Sequence, residues 1–178
     1  PALSITPVGG LSCRQDTMSL VGNSTLVGNR YQYQWQDAFG QDIPDAQNSR
    51  LVINRGGKYL LQLIDTRTGC IGDASFTAIP DTLAPVADIY GAEPLTCSRD
   101  SVTLSITQAR PGETWTYAWQ RAIAGQSVNL TTNPKLTLGQ IGIYRLRVQN
   151  EGNGCSAFDS VQIVKDTLAP LADAGPDQ

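Results

Sequence analysis

The chain has 178 residues, a formal net charge of −3 from 13 Lys and Arg against 16 Asp and Glu, and no histidine. The weak negative charge and the lack of a basic run exclude a nucleic-acid-binding surface, and no segment approaches the roughly 20 apolar residues of a membrane span. Without histidine the commonest general base and metal ligand is missing, so neither a catalytic nor a cofactor-binding residue is predicted.

Short alternating runs between turn residues predict β-strands from the start of the chain. The run YQYQW places Tyr31, Tyr33 and Trp35 on one face and its glutamines on the other, which is the two-residue period of a half-buried strand. Further runs of this kind in the first half are SITPV, TMSLV, RLVIN, KYLLQL and ASFTAI. No stretch has a helical period. Six or seven short strands in about 85 residues predict an all-β fold built from antiparallel β-sandwiches.

One phrase occurs twice, as DTLAPVAD at Asp81–Asp88 and as DTLAPLAD at Asp166–Asp173. The cysteines and the tryptophan-containing strands return at the same offset of about 85 residues, which predicts a repeat architecture. We therefore expect one module over residues 1–84, a second over 85–169, and the first strand of a following module over 170–178. DTLAP would be the joint between modules, in a chain cut from a longer array.

The four cysteines fall at equivalent places, two in each repeat. None belongs to a CxxC pair and no histidine completes a zinc site, so disulfides are the better interpretation. Disulfides persist in oxidising compartments, which predicts an extracellular or cell-surface location. Pairing within each repeat, Cys13–Cys70 and Cys97–Cys155, is the simplest arrangement.

Aromatic residues at fixed places carry a resemblance to known domains. Trp35 and Trp119 fit a buried tryptophan on the third strand, and Gly57–Tyr59 and Gly142–Tyr144 fit a tyrosine corner that opens the sixth strand. At these residues the chain resembles immunoglobulin-like and PKD-like domains. ADAGPDQ, LTC, SVTL and NGC are similar to tandem modules of secreted or cell-surface Bacteroidota proteins, among them adhesins, gliding-associated proteins and filament-like proteins. The resemblance covers both repeats and implies tandem immunoglobulin-like (PKD-like) antiparallel β-sandwiches.

Immunoglobulin topology implies a different pairing of the cysteines. It puts the turns that hold Cys13 and Cys70 at opposite ends of a module, about 23 Å apart for a seven-residue strand, whereas a disulfide needs Cα atoms within about 7 Å. The ends that hold Cys13 and Cys155 would meet across the DTLAP joint, so this topology favours Cys13–Cys155. Cys97 would then reach the following module and Cys70 the preceding one, through intermolecular bonds in an assembly. Pairing within each repeat returns if the topology deviates.

Five Asp-Ser/Thr-apolar triplets resemble the O-glycosylation signal of exported Bacteroidota proteins. The candidate glycosylated residues are Thr17, Thr82, Ser101, Ser160 and Thr167. The alternative interpretation is that each aspartate ends a turn before a strand.

Four aspartates flank the joints: Asp81, Asp88, Asp166 and Asp173. Tandem extracellular domains often bind Ca²⁺ at such joints, where the ion takes six to eight oxygen ligands. The favoured interpretation is that Asp81 caps the turn before a proline-stiffened linker. No metal or other cofactor is therefore predicted, and calcium at these aspartates stays the alternative.

Nothing in these patterns predicts an enzyme. The leading hypothesis is a non-enzymatic structural repeat of an extracellular bacterial filament or cell-surface adhesin stalk, disulfide-stapled and O-glycosylated. Its partners would be copies of itself or neighbouring repeats, end to end, with LADAGPDQ docking as an edge strand. The alternative is a carbohydrate- or surface-binding module that uses Tyr90 or Trp115 as a stacking platform. Neither hypothesis involves nucleic acid or membrane insertion.

Overall fold

The computed structural model describes residues 3–123 and 125–168. The chain forms two compact units: unit 1 contains Pro1–Leu83 and Asn153–Cys155, and unit 2 contains Ala84–Gly152 and Ser156–Gln178. The strand expected over residues 170–178 and the candidate Asp173 lie outside the described residues. Within the described ranges, no helix is long and apolar enough to cross a membrane.

Unit 1 consists of two antiparallel sheets. One has the strand order β1 (Leu3–Val8), β2 (Met18–Ser24), β4 (Arg50–Ile53), and the other β3 (Tyr31–Gln36), β5 (Gly57–Asp65), β6 (Ile71–Ala78). These are the A-B-E and C-F-G orders of an immunoglobulin-like sandwich. The all-β, immunoglobulin-like fold class predicted from the sequence is therefore confirmed.

Unit 2 has the same plan with one strand more. Its first sheet runs β7 (Ile89–Tyr90), β8 (Val102–Ile106), β11 (Leu136–Leu138). Its second sheet runs β10 (Gln126–Thr131), β9 (Trp115–Ile123), β12 (Gly142–Asn150), β13 (Ser156–Ile163). The pairings between these strands are antiparallel, and β10 extends the sheet beside β9.

The core of each unit is centred on the tryptophan of its third strand. Trp35 is fully buried and packs in one cluster with Leu20 of β2 and Leu61 of β5, its register partner. Its indole Nε1 donates a 2.9 Å hydrogen bond to the carbonyl of Asn48, so the polar end of the ring is satisfied. Complete burial of a large apolar side chain contributes about 3 kcal/mol. The expected burial of this tryptophan is confirmed.

Unit 2 repeats this arrangement around Trp119. The ring is buried opposite Leu146, and Nε1 donates to the carbonyl of Asn133 at 3.1 Å. The two units thus use the same aromatic residue, on the same strand, with a backbone acceptor from the same following segment.

The predicted tyrosine corners are present. The hydroxyl of Tyr59 donates to the carbonyl of Arg55 at 3.0 Å, and that of Tyr144 donates to the carbonyl of Gln140 at 2.8 Å. Their strand number needs one correction, because in unit 1 the corner opens the fifth strand and not the sixth. Between β3 and β4 the carboxylate of Asp37 accepts from the amides of Phe39 and Gln41 and closes a turn, where unit 2 has the additional strand β10.

Candidate functional site

Cys13 and Cys155 are joined by a disulfide with a Cα–Cα distance of 4.9 Å and a sequence separation of 142 residues. This is the pair that immunoglobulin topology favours from the sequence, and neither Cys13–Cys70 nor Cys97–Cys155 is formed. Cys70 and Cys97 are free and exposed. Cys155 follows β12 in the chain, yet its contacts place Asn153–Cys155 in unit 1. The bond therefore connects the first sequence repeat covalently to the second.

Asn153 fixes the turn that carries Cys155. The residue is only 2% exposed, and its side-chain amide nitrogen donates to Asp81 Oδ1 and to the carbonyl of Leu83, both at 2.9 Å. Its side-chain oxygen accepts from the amide of Cys155 at 2.9 Å, and its backbone carbonyl accepts from the amide of Arg14 at 3.0 Å. An unsatisfied buried polar group costs about 1–3 kcal/mol, so this complete set makes the position specific for asparagine.

Gly154 lets the turn approach unit 1 closely. It has φ of +76°, a left-handed conformation that favours glycine. A Cβ at this position would lie 2.7 Å from the Cβ of Arg14, closer than side-chain carbons come. We call the sequence Xaa-Gly-Cys in this conformation a cysteine turn, and Asn153–Cys155 is the second of two in the chain.

The surface that holds this turn is built from two segments of unit 1, residues 11–14 and 81–83, which we call acceptor site 1. The amide of Asp81 donates to the carbonyl of Leu11 at 2.9 Å, and the amide of Ser12 donates to the carbonyl of Gln15 at 2.8 Å. The hydroxyl of Ser12 accepts from the amides of Arg14 and Gln15, both at 3.2 Å. Serine favours such tight turns because its hydroxyl bonds to nearby backbone amides.

Unit 2 carries an equivalent surface, acceptor site 2, formed by residues 95–98 and 166–168. The amide of Asp166 donates to the carbonyl of Leu95 at 2.8 Å, and the amide of Thr96 donates to the carbonyl of Arg99 at 2.9 Å. The amide of Leu168 contacts Asp166 Oδ1 at 3.3 Å, as that of Leu83 contacts Asp81 Oδ1 at 3.4 Å. An open cavity of about 580 Å³ adjoins this surface, with Leu95, Cys97 and Thr167 among its lining residues.

Unit 1 carries the other cysteine turn, Thr68–Cys70. Gly69 has φ of +70°, and the amide of Cys70 contacts the hydroxyl of Thr68 at 3.4 Å, the counterpart of the bond from Cys155 to the Asn153 side chain. A Cβ at Gly69 would meet nothing within 4 Å. This turn therefore has the same local conformation as the second one, with open space where the second has contacts.

Asp65 links the first cysteine turn to an ion pair. Its carboxylate pairs with the guanidinium of Arg30, with Nε at 2.7 Å from Oδ1, and also accepts from the amide of Arg67 at 3.0 Å. The hydrogen bond from Arg30, followed by that from the Arg67 amide, lowers the pKa of Asp65 well below its usual range, although burial opposes the shift. The carbonyl of Asp65 also accepts from the amide of Gly69 at 2.8 Å, so the ion pair and the turn form one unit.

Of the glycosylation candidates from the sequence, Thr82 lies in acceptor site 1 and Thr167 in acceptor site 2, and the other three lie outside both sites. All five proposed glycosylation residues are exposed: Thr17, Thr82, Ser101, Ser160 and Thr167. Asp159 of the last DSV triplet is structurally engaged, because its carboxylate accepts from the amides of Ile89 and Ser160 at 2.9 and 2.7 Å.

The aspartates considered for calcium that the structure describes, Asp81, Asp88 and Asp166, do not form a ligand cluster. Among residues 3–123 and 125–168, no three His, Cys, Asp or Glu side chains gather as a metal site. Asp81, Asp88 and Asp166 are exposed, and Oδ1 of Asp81 is bonded to Asn153.

Of the two aromatic residues that the alternative hypothesis uses as a stacking platform, one is exposed and the other is buried. Trp115 is only 7% exposed, because it starts β9 within the core cluster of unit 2 and its Nε1 donates to Glu113 at 2.9 Å. Tyr90 is 54% exposed as expected. The sequence interpretation missed Phe158, which is 73% exposed on β13, opposite Arg147. The alternating pattern of β13 could have located it, since Phe158 and Ser160 fall on the outward face.

No protein-family model matches the chain, and no curated protein matches its sequence. Among solved structures it is similar to the three N-terminal domains of the bacteriophage RB49 Highly Immunogenic Outer Capsid protein (Hoc), with a TM-score of 0.55 and 16% identity over 92% of this chain. The chain spans 58% of that structure. At this identity the similarity extends to the fold alone.

Two further structures have lower TM-scores. Murine CEACAM1b has a TM-score of 0.38 and 15% identity, with 94% of this chain and 100% of that chain covered. The mouse coronavirus receptor-binding domain complexed with its murine receptor has a TM-score of 0.40 and 15% identity, with 93% and 100% covered. The strand orders of both units and the similarity to the Hoc domains identify the fold as immunoglobulin-like.

Proposed function

We propose that the chain is a non-enzymatic structural repeat of an extracellular bacterial filament or cell-surface adhesin stalk. Its modules would be residues 1–84 and 85–169, with 170–178 beginning the next, and its partners would be further copies or neighbouring repeats, end to end. The observation that carries the proposal is the disulfide from Cys13 to Cys155, which joins one sequence repeat to the next. A covalent link between successive repeats suits a protein that must stay connected along its length.

Three observations support an extracellular setting. The disulfide requires an oxidising compartment to persist. The five Asp-Ser/Thr-apolar triplets present exposed hydroxyl-bearing residues, which a glycosylating enzyme could reach. The chain also resembles tandem modules of Bacteroidota surface proteins at the sequences quoted above. We propose O-glycosylation at these five residues, and glycopeptide sequencing of native material tests it: unmodified peptides over all five would contradict it.

Electron microscopy of the native assembly tests the structural role. We expect linear polymers or stalks with a periodic module, which fall apart or soften on reduction. A population of separate, freely secreted monomers would contradict the proposal.

A second candidate function is binding of a carbohydrate or surface through the outer face of the four-stranded sheet of unit 2. A cavity of about 460 Å³ there is lined by Gln120, Asn129, Arg145, Arg147 and Phe158, among others. An exposed aromatic ring beside amide and guanidinium donors is a suitable surface for a sugar ring and its hydroxyls. Glycan-array binding that is lost in Phe158→Ala and kept in the exposed control Phe39→Ala would favour this function.

A further inference from the structure

We propose that acceptor site 2 of one copy binds the Thr68–Cys70 turn of a second copy of this chain. The inference rests on the proposed filament function and adds to it the two surfaces that meet at each joint between copies. Its basis is that the chain already contains one complete example of this contact, formed by Asn153–Cys155 on acceptor site 1.

The two acceptor sites have the same construction. In each, an aspartate amide donates to the carbonyl of a buried leucine two residues before the cysteine, Asp81 to Leu11 and Asp166 to Leu95. In each, the residue between leucine and cysteine donates its amide to a carbonyl three residues on. The cysteine and the aspartate carboxylate are thus presented alike. Site 1 uses both groups to hold a turn, whereas in site 2 Cys97 is an exposed free thiol.

The Thr68–Cys70 turn is already in the conformation that site 1 binds. Its glycine has φ within a few degrees of the glycine of the bound turn, +70° against +76°. The space around Gly69 is open, while Gly154 is in contact with Arg14. Docking therefore needs no refolding of the turn, and the missing Cβ leaves room for the backbone of Ser98, which corresponds to Arg14.

Thr68 makes the joint between copies weaker than the joint within the chain. The side chain of Asn153 gives two hydrogen bonds to acceptor site 1 and keeps its oxygen for the amide of Cys155. A threonine hydroxyl has one proton to donate, so Thr68 offers one hydrogen bond to the carboxylate of Asp166 and leaves the carbonyl of Leu168 without a partner. The contact between copies would then need the disulfide to become permanent.

The covalent step is a thiol–disulfide exchange with a small-molecule disulfide as oxidant. The thiolate of Cys97 attacks the oxidant, forms a mixed disulfide and releases one thiolate. The thiolate of Cys70 from the second copy then attacks the protein sulfur and releases the other. Two protein thiols are oxidised, one oxidant disulfide is reduced to two thiols, and the protons of the protein thiols end on the released thiolates.

The test is oxidation of the purified full chain with oxidised glutathione, followed by non-reducing gels and peptide mapping of the cross-links. Docking predicts a ladder of multimers in which Cys70–Cys97 pairs exceed Cys70–Cys70 and Cys97–Cys97 pairs at least tenfold. Random collision of exposed thiols gives the three pairs in about a 1:2:1 ratio, with Cys70–Cys97 only half of the total. That ratio, or a chain that stays monomeric, would overturn the proposal.

Two substitutions distinguish docking from mere proximity. Thr68→Asn should increase the rate of Cys70–Cys97 formation about tenfold, which corresponds to about 1.4 kcal/mol in the docking equilibrium. Asp166→Ala should decrease it, whereas the exposed control Asp73→Ala should leave it unchanged. Each variant is used only if mapping still finds the Cys13–Cys155 peptide and its far-UV circular dichroism matches that of the parent chain, which together show that both units are folded. A rate that responds equally to Asp166→Ala and Asp73→Ala would also overturn the proposal.

The outcomes separate this inference from the proposed function. Filaments in the native assembly with cross-links other than Cys70–Cys97 would contradict the inference and leave the filament function standing. Cys70–Cys97 multimers of the purified chain, together with dispersed monomers in native material, would support docking and contradict the filament function.

Discussion

The side-chain amide of Asn153 donates a 2.9 Å hydrogen bond to the carboxylate of Asp81, across 72 residues of sequence. The two residues come from different sequence repeats. Asn153 begins the second cysteine turn, and Asp81 begins the first DTLAP joint. Asn153 supplies the donor and Asp81 the acceptor. Exchanging the amide and the carboxylate between the two positions therefore reverses the direction of this hydrogen bond.

Exchanging the two side chains tests whether the bond stabilises the turn. Asn153→Asp should destabilise unit 1 by about 2–3 kcal/mol, because it sets two carboxylates against each other and leaves the Leu83 carbonyl without a donor. Asp81→Asn should cost about 1 kcal/mol or less, since the amide oxygen still accepts. Adding Asp81→Asn to Asn153→Asp should recover more than half of the loss. Denaturant unfolding of the oxidised chain measures the cycle, and simple additivity of the two single changes would refute the coupling.

Peptide mapping without reduction should find a Cys13–Cys155 linked peptide in the purified chain. Cys13→Ser should lower the stability of unit 1 by up to about 5 kcal/mol, which is the loop-closure value for a loop of more than 100 residues. Cys70→Ser, at an exposed free thiol, is the matched control and should change stability by less than about 0.5 kcal/mol. A linked Cys13–Cys70 peptide would show that the pairing is wrong.

Trp35→Ala should destabilise unit 1 by about 3–5 kcal/mol, because it removes a completely buried ring and leaves a cavity between the sheets. Trp35→Phe keeps most of the ring and removes the Nε1–H that bonds to Asn48, so it should cost less, about 1–3 kcal/mol. Phe39→Ala, at a ring that is 88% exposed, serves as the surface control. Chemical denaturation gives all three values, and a Trp35→Ala chain as stable as the control would contradict the buried position.

The Arg30–Asp65 pair predicts a definite acid dependence. Because the folded pKa of Asp65 is lowered, the unfolded chain binds more protons between the two pKa values, and stability rises with pH in that range. The contribution should be complete above the unfolded value of about 4 and should be lost as the pH falls towards the folded value. Asp65→Asn should therefore lower the melting temperature at neutral pH and flatten its fall in acid. Asp73→Asn, at an exposed aspartate, should do neither; an equal flattening in both variants would contradict the assignment.

The strands and the core were predictable because their signals are local. In YQYQW the two-residue period puts Trp35 inside. Gly57, two residues before Tyr59, marks the tyrosine corner. The extra strand β10 of unit 2 left a weaker signal, since QSVNLT is largely exposed and polar and its pairing with β9 depends on the turn between them.

The candidate site was predictable only in its cysteines. The repeat placed them, and strand length with topology favoured one pairing, but neither could identify the partner of the turn. The two Xaa-Gly-Cys turns differ in their first residue, which is Thr68 in one and Asn153 in the other. Only the hydrogen bond from Asn153 to Asp81 shows why that difference matters. Trp115 was misjudged although the signal was present: by the two-residue period it shares a face with Trp119, whose burial the sequence predicts, so both rings point into the core.

The disulfide from Cys13 to Cys155 also decides how the chain carries mechanical tension. A force applied to the chain before Cys13 and after Cys155 passes through the sulfur–sulfur bond, so strands β2 to β12 lie outside the loaded path. Only segments beyond the two cysteines, β1 and β13 among them, bear the pull directly. Reduction would put the enclosed strands under load, and their unfolding would then release 142 residues, an extension of about 500 Å at the contour length of an extended chain. The disulfide thus keeps strands β2 to β12 out of the loaded path, and a reductant would place them in it.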